Sequence, residues 1–284
     1  MLRITISVIS VHNCQYIATI IHVIFISLLN IQNMFNPFSL EGKTILVTGA
    51  SSGIGQGIAI TCSKMGAHLI LNGRNEERLR QTIEELEGEG HIIIVSDLST
   101  QEGINKLTEQ CPKLNGYVHS AGIPKICNVK HITRSVIEDV VNVNEIAPIL
   151  VTSGLLKKKK IQRGSSLVFI ASVAGVLTTN IGEAPYATSK SALSGFSKSA
   201  AYELASQGTR VNAICPGMIV TNMVTNGNPE FEIPEVQESM LKRYPLKRFG
   251  IPSDIANAAV FLLSDASTWV TGINLVIDGG YSLA

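Results

Sequence analysis

From Lys43 onward, short aliphatic and β-branched runs alternate with longer stretches whose apolar residues recur every three to four positions. The runs predict strands at Thr44–Val47, His68–Leu71, His91–Val95, Leu114–His119, Ser166–Ile170, Arg210–Ile214 and Asn274–Ile277. The periodic stretches predict helices at Gly53–Met65, Glu76–Leu86, Gln101–Gln110, Ser135–Lys157, Ala184–Ser206 and Ser253–Leu263. Pro148 falls inside the fourth of these and should kink it, because proline lacks an N–H and its ring crowds the preceding turn. Strands that are apolar along their whole length and separated by helices indicate a parallel sheet covered on both faces. The expectation is a three-layer α/β/α, doubly wound single domain with ligands at the carboxyl ends of its strands. The stretch Met218–Gly250, with Pro229, Pro234 and Pro245, fits neither pattern. It is too long for an idle connection and reads as an inserted lid.

The beginning of the chain is compositionally foreign. Between Arg3 and Glu41 there is no Asp, Glu, Lys or Arg, and Ile17–Leu29 is strongly apolar. A membrane anchor needs roughly 20 apolar residues, and this run is interrupted by Thr19, His22 and Ser27. A secretory signal needs a basic leading region and a small-residue cleavage site, neither of which is evident. The third reading is that translation begins at Met34, just ahead of the first folded element. The organisation is therefore read as an extension, 1–33, followed by the folded domain, 34–284.

With 284 residues, 45% of them hydrophobic, the chain can bury the core of one large α/β domain. Its 23 basic and 22 acidic residues leave a net charge of +1. That gives no surplus with which to neutralise a nucleic-acid backbone, so no nucleic-acid partner is expected. Cys14, Cys62, Cys111, Cys127 and Cys215 form no C-x-x-C pair, and the histidines are scattered. No disulfide framework or metal site is expected, and a reducing, cytoplasmic setting fits. Membrane association would enter only through residues 1–33.

Thr48-Gly-Ala-Ser-Ser-Gly-Ile-Gly55 directly follows the first strand and opens the first helix. Glycines allow a tight turn and close approach of a pyrophosphate, and the helix N-terminus offers unpaired N–H donors. Gly49, Ser51, Ser52, Gly53, Ile54 and Gly55 are candidate phosphate contacts. The spacing, G-x-x-x-G-x-G, differs from the G-x-G-x-x-G dinucleotide fingerprint. An NAD site places a carboxylate at the end of the second strand, for the ribose 2′-OH. This chain reads Leu71-Asn-Gly-Arg74 there. A guanidinium can pair with a 2′-phosphate, so NADP(H) is favoured over NAD(H). The alternative is that Arg74 only occupies a loop ahead of Asn75, a helix cap.

Tyr186-Ala-Thr-Ser-Lys190 places a phenol and an ammonium on one helical face. A cation beside a phenol favours the phenolate and is expected to lower the Tyr186 pKa, making it a usable acid or base. Ser172 follows the fifth strand, at the same sheet edge as the glycine-rich turn, and can hydrogen-bond a carbonyl oxygen.

With these residues in place, the sequence resembles the short-chain dehydrogenase/reductase family in its single-domain, Rossmann-fold form, and is similar to 3-oxoacyl-carrier-protein reductases. The resemblance runs from about Leu40 to the C-terminus. The family's T-G-x-x-x-G-x-G matches Thr48 to Gly55, and its adenine-contacting Asp matches Asp97, followed by Leu98. Its catalytic Asn matches Asn144, with Asn142 a competitor that helical register disfavours. Its Ser, Tyr and Lys match Ser172, Tyr186 and Lys190. Its P-G motif matches Pro216-Gly217, with Ile219 and Thr221 beyond it as cofactor contacts, and its terminal D-G-G matches Asp278-Gly-Gly280. The N-N-A-G motif reads His119-Ser-Ala-Gly122 here, leaving Ser120, Ala121 and Gly122 as the cofactor floor. The Ser172 to Tyr186 interval is one residue longer than in many relatives.

The resemblance implies hydride transfer between a nicotinamide and a carbonyl or alcohol carbon. Tyr186 would be the proton donor, Lys190 the ribose ligand, Ser172 the holder of the substrate oxygen, and Asn144 the holder of a relay water. The leading expectation is an NADP(H)-dependent reductase of a 3-oxoacyl thioester or another ketone. A sugar or secondary-alcohol dehydrogenase is the alternative, and a cofactor-binding scaffold or membrane-associated protein with little turnover is the reading from another class. The partner is a small-molecule carbonyl or alcohol, a carrier-bound acyl chain among the candidates, and a homodimer or homotetramer is expected. Lys157–Lys160 is read as a helix C-terminus interaction rather than an acidic-partner site. Cys215 is read as a buried hydrophobe, His119 as a hydrogen-bonded strand end, and Trp269 and Phe261 as core or subunit contacts.

Overall fold

The computed structural model describes residues 35–225 and 233–283. The extension 1–33, with Met34, lies outside the described residues, as do 226–232 of the proposed lid. Residues 38–284 form one compact unit.

Seven strands make a single parallel sheet: β1 Thr44–Thr48, β2 His68–Gly73, β3 Ile92–Val95, β4 Leu114–His119, β5 Ile161–Ile170, β6 Arg210–Pro216 and β7 Asn274–Ile277. Their order is β3-β2-β1-β4-β5-β6-β7. The helices are α1 Gly53–Lys64, α2 Glu76–Glu84, α3 Gln101–Gln110, α4 Arg134–Val141, α5 Ala147–Lys157, α6 Ala184–Leu204, α7 Asn222–Thr225, α8 Pro234–Leu241 and α9 Pro252–Leu263. This is the doubly wound Rossmann arrangement expected. The strand order reverses between β1 and β4, so a crevice opens beyond their carboxyl ends.

Alternation within each strand builds two cores. In β1, Leu46 joins one core with Leu107, Val151, Leu155 and Leu193 from α3, α5 and α6. Its neighbours Ile45 and Val47 join the other, with Ile58, Leu79, Ile255 and Leu262 from α1, α2 and α9. The period-two switch is what places one helical layer on each face.

Two elements differ from their sequence patterns. The expected single helix 135–157 is α4 and α5 joined by a π-helical turn, Asn142–Ile146, in which the Ala147 N–H reaches back to the Asn142 carbonyl. Pro148 has no N–H for the usual bond to Asn144, and widening the preceding turn relieves its ring clash. The distortion thus sits ahead of the proline. β5 also starts earlier than expected, at Ile161, with a register shift between Leu114 and Gly116 that absorbs the extra residues.

Candidate active site

The glycine-rich turn is shaped by close approach. Gly49 has φ +67°, and a Cβ there would lie 2.8 Å from the backbone of Ala121. A Cβ on Gly55 would run into the Gly49 carbonyl. Backbone is therefore packed where a side chain cannot go, and the turn lies directly against the loop after β4. Thr48 fastens that contact, its hydroxyl accepting from the N–H groups of Ser120 at 3.2 Å and Ala121 at 3.3 Å. Ser52 precedes α1 in an extended conformation and its side chain makes no capping bond. The first amides of α1 are thus left for an anion, which is what a pyrophosphate requires. Thr221 reaches over the same turn: a Cβ on Gly53 would lie 3.2 Å from its Cγ2. Ile219, buried nearby, bridges to Gly250 and closes the base of the segment after β6.

At the other end of the crevice, β2 finishes without a carboxylate. Asn72 is buried and donates to the Ile94 carbonyl and the Ser96 hydroxyl, both at 2.9 Å, so it ties β2 to β3. The Arg74 guanidinium lies 4.0 Å from the Asp97 carboxylate. The helix-cap reading of Asn75 is met: it caps α2 by accepting from Arg78 N–H at 2.9 Å, which leaves Arg74 in the loop ahead of it. Burial raises the Asp97 carboxyl, but the Ser99 amide and hydroxyl and the Arg74 charge outweigh it and hold it below its ordinary value. Leu98 is buried beside it.

The four proton-transfer candidates converge between β4, β5 and α6. Ser172 and Tyr186 are joined by a side-chain hydrogen bond. Lys190 is buried, and its Nζ donates to the Ile170 carbonyl at 2.8 Å. Asn144 is fully buried in the π-helical turn, while Asn142 is exposed. Asn144 Oδ1 accepts from Ile123 N–H at 2.8 Å, and its Nδ2 donates to the Ile123 carbonyl at 3.0 Å. A Cβ on Gly122 would lie 3.2 Å from both Asn144 Oδ1 and Lys190 Nζ. The cofactor-floor loop, the π turn and α6 therefore meet at one point.

One expectation is corrected. Burial raises the Tyr186 phenol above its ordinary value, the Ser172 hydrogen bond opposes the rise, and the Glu183 carboxylate adds to it. Lys190 does not lower it. Its Nζ lies 5.9 Å from the ring centroid and donates to the Ile170 carbonyl. Burial depresses Lys190 itself to about 8, with Cys215 acting in the opposite sense.

Sequence reading missed Ser189. Its hydroxyl accepts from Asn144 Nδ2 at 3.1 Å and donates to the Tyr186 carbonyl at 2.7 Å, joining the π turn to α6. The available signal was a small polar residue three positions after Tyr186, on the face that buries Lys190. It also missed the setting of His119. The buried Tyr117 phenol lies 2.6 Å from His119 Nδ1 and the Thr48 hydroxyl 3.2 Å from it, while Nε2 is buried without a hydrogen-bond partner. His119 is thus the hydrogen-bonded strand end that was expected, and Cys215 is a buried thiol. Trp269 is 98% exposed, so it is not a core residue: it sits in the turn after α9, where no layer covers it. Lys158 pairs with Glu109 at 3.4 Å, at the opposite end of the sheet from the crevice. Among the described residues, no group of three or more metal-ligating side chains occurs. No helix among them is long and apolar enough to cross a membrane.

A glycine-shaped turn at a switch point, beside buried Ser172 and Lys190 and half-buried Tyr186, fits a Rossmann-fold NAD(P)-dependent oxidoreductase. A family model described as enoyl-(acyl carrier protein) reductase matches residues 49–282. The chain belongs to the short-chain dehydrogenase/reductase family. It is 36% identical over 241 residues to the 3-oxoacyl-[acyl-carrier-protein] reductase FabG of Rickettsia bellii, covering 85% of this chain and 97% of that protein. A structure from Sinorhizobium meliloti, provisionally named a short-chain alcohol dehydrogenase, superposes with a TM-score of 0.81 at 31% identity, over 88% of this chain and 100% of that one. Another from Agrobacterium tumefaciens, provisionally named 2-deoxy-d-gluconate 3-dehydrogenase and carrying bound NADP, does so with a TM-score of 0.77 at 31% identity, over 88% and 100%.

Proposed function

We propose that this enzyme is an NADPH-dependent ketone reductase acting on a 3-oxoacyl thioester or a similarly apolar ketone, with Tyr186 as proton donor. The observation that carries the reading is the convergence of Asn144, Ser172, Tyr186 and Lys190 beside the glycine-shaped cradle. The nicotinamide cofactor, when bound, supplies the hydride. Gly49, Ser51, Ser52, Gly53, Ile54 and Gly55 would hold its pyrophosphate. Asp97 and Leu98 would border its adenine, and Arg74 its 2′-phosphate. Ser120, Ala121, Gly122, Pro216, Gly217, Ile219 and Thr221 would form the floor and cover of the nicotinamide half. Ser172 orients the substrate oxygen toward Tyr186. The phenol gives that oxygen a proton as negative charge develops on it, a role worth about 10²–10⁴ in rate for a positioned acid. Lys190 would hold the nicotinamide ribose; Asn144 fixes the backbone of Ile123 and would hold a proton-relay water.

The apolar character of the crevice mouth favours an acyl substrate. Ile126, Val129, Leu177 and Ile181, on the loops after β4 and β5, are 78%, 73%, 56% and 93% exposed. Clustered exposed apolar side chains mark a binding surface. The exposed Asn128, Thr179 and Asn180 on the same loops favour the second reading, a sugar or sugar-acid dehydrogenase. A carrier docking at this mouth would not use Lys157–Lys160, which lie at the other sheet edge.

The test is nicotinamide absorbance with NADPH and NADH offered separately, against acetoacetyl thioesters, simple ketones and keto sugars. Turnover of the thioester with NADPH, lost in Tyr186→Phe, is the expected result. Turnover of keto sugars alone would replace it with the second reading, and tight cofactor binding without any turnover would favour a scaffold.

A further inference from the structure

The connection from Ser172 to Tyr186 forms one wall of the crevice. It is held internally, with the Gly175 N–H bonded to the Thr178 carbonyl at 2.7 Å, and it leans on the loop after β4 through Cys127 N–H to the Gly182 carbonyl at 2.8 Å. The segment after β6 forms the opposite wall, and its return arm, Arg243–Phe249, leads back to α9. The motifs assign nothing to what spaces these two walls. The C-terminal turn lies at their junction. Asp278 fixes that turn by accepting from the N–H groups of Gly280 at 2.9 Å and Ser282 at 2.8 Å. The return arm is seated on it: Leu246 N–H bonds the Gly279 carbonyl at 3.2 Å, and a Cβ on Gly280 would lie 2.8 Å from Pro245.

Tyr281 projects from this turn into both walls. Its ring stacks on Tyr244, with centroids 5.0 Å apart and planes 30° apart, and the Arg243 guanidinium carbon lies 4.5 Å from its centroid. Tyr244 is itself buried, and its hydroxyl accepts from Met218 N–H at 3.4 Å, at the start of the same segment. At its other end, the Tyr281 hydroxyl donates to Asn180 Oδ1 at 3.4 Å, at the tip of the Ser172–Tyr186 connection. One side chain therefore touches the segment bearing Ile219 and Thr221 and the loop bearing the exposed Leu177 and Ile181.

We propose that Tyr281 is a positioning residue that sets the spacing of the two crevice walls, and hence the fit of the substrate body. It touches no reacting atom. Its phenol restrains the Asn180 loop, and its ring fixes the return arm. A long aromatic bridging two loops with a stack at one end and a hydrogen bond at the other separates the two functions by substitution. Tyr281→Phe deletes only the Asn180 link, and Tyr281→Leu deletes the stack as well.

The test has two arms. In the first, amide hydrogen exchange is followed by mass spectrometry on the full chain without substrate. Tyr281→Phe and Asn180→Ala should each speed exchange of residues 174–183 by a few-fold, as for loss of one neutral hydrogen bond. The double variant should show no further increase, and Tyr281→Leu should add faster exchange at 243–249. In the second arm, which rests on the ketone-reductase reading, Tyr281→Phe should raise the substrate KM several-fold while kcat stays within twofold and NADPH affinity is unchanged. Unchanged exchange at 174–183 in Tyr281→Phe would overturn the proposal. So would acceleration spread equally over β1 and β4, or additive effects in the double variant. If no carbonyl is turned over, the reductase reading fails on the second arm while the first still decides this one.

Discussion

Replacing His119 by asparagine should flatten the loss of stability on acidification. His119 is 1% exposed, with Tyr117, Thr48 and the loop after β4 around it. The Tyr117 phenol is pushed well above its ordinary value by burial, so it is protonated and donates to Nδ1. This network assigns the ring proton to Nε2, where no partner waits. Burial, then the Lys190 charge, depress the His119 pKa to about 3, with the Ala121 backbone acting in the opposite sense. An unfolded histidine titrates near 6.5, so below that pH the unfolded chain binds a proton that the folded one refuses. Stability attributable to His119 is thus intact above about pH 6.5 and falls by roughly 1.4 kcal/mol per unit below it. By pH 5 the loss is about 2 kcal/mol, and it continues down to the folded value near 3. The depressed carboxyls Asp97, Asp254 and Asp278 act below their ordinary 3.8, outside the window from 7.5 to 5. Urea unfolding of the wild type and His119→Asn at pH 7.5 and pH 5 isolates the difference in slope, whatever constant offset the substitution introduces. Parallel losses in the two proteins would show that the ring takes up its proton in the folded state, and the reasoning would fail.

Further outcomes follow from the crevice. Tyr186→Phe should lower kcat by about 10²–10⁴-fold with NADPH affinity, read by fluorescence titration, little changed. Arg74→Ala should reduce the preference for NADPH over NADH by about tenfold, the lower end for a charge-assisted phosphate contact, because the guanidinium is largely exposed. Equal kcat/KM ratios before and after would show that Arg74 does not read the 2′-position. Gly49→Ala should cost roughly 1–2 kcal/mol for the left-handed backbone alone, and more from the Ala121 overlap, seen as a fall of several degrees in Tm and weaker cofactor binding. Reduction should decline as pH rises through about 8, where Lys190 loses its proton, and kcat/KM against pH in a constant-ionic-strength buffer would reveal a flat profile if it does not.

What was legible in the sequence was what local pattern determines. α3 and β4 fall on the expected boundaries because they are bracketed by the Thr100 cap, Pro112 and Gly122, although the α3 pattern is weak. The glycine turn and the Tyr186–Lys190 face were legible because each is a short contiguous motif whose geometry follows from backbone sterics. The π turn was not, since Pro148 announces a distortion but not that the helix absorbs it by widening at Asn142–Ile146. Helical register was enough to choose Asn144 over Asn142, but its bonds to Ile123 and Ser189 lie beyond what the pattern contains. The sequence left Trp269 between core and subunit contact, because composition does not say which turn lacks a covering layer, and its exposure removes only the first.

The direction of the Tyr186 shift shows why a motif alone misjudges electrostatics. Spacing places Lys190 on the same helical face, and a cation at that spacing predicts a more acidic phenol. Burial acts on both groups and in opposite senses: it raises the tyrosine and depresses the lysine toward neutrality of charge. Burial is the largest cause for both groups and decides which effect wins. On the proposed reading the result suits reduction. A phenol that keeps its proton at rest is already in the form that an acid needs, and Ser172 is placed to stabilise the phenolate as that proton leaves. Oxidation would require the same phenol to start deprotonated in a buried setting that resists it. On that reading the alcohol-to-carbonyl direction, which needs the phenolate, should gain rate relative to reduction as pH rises.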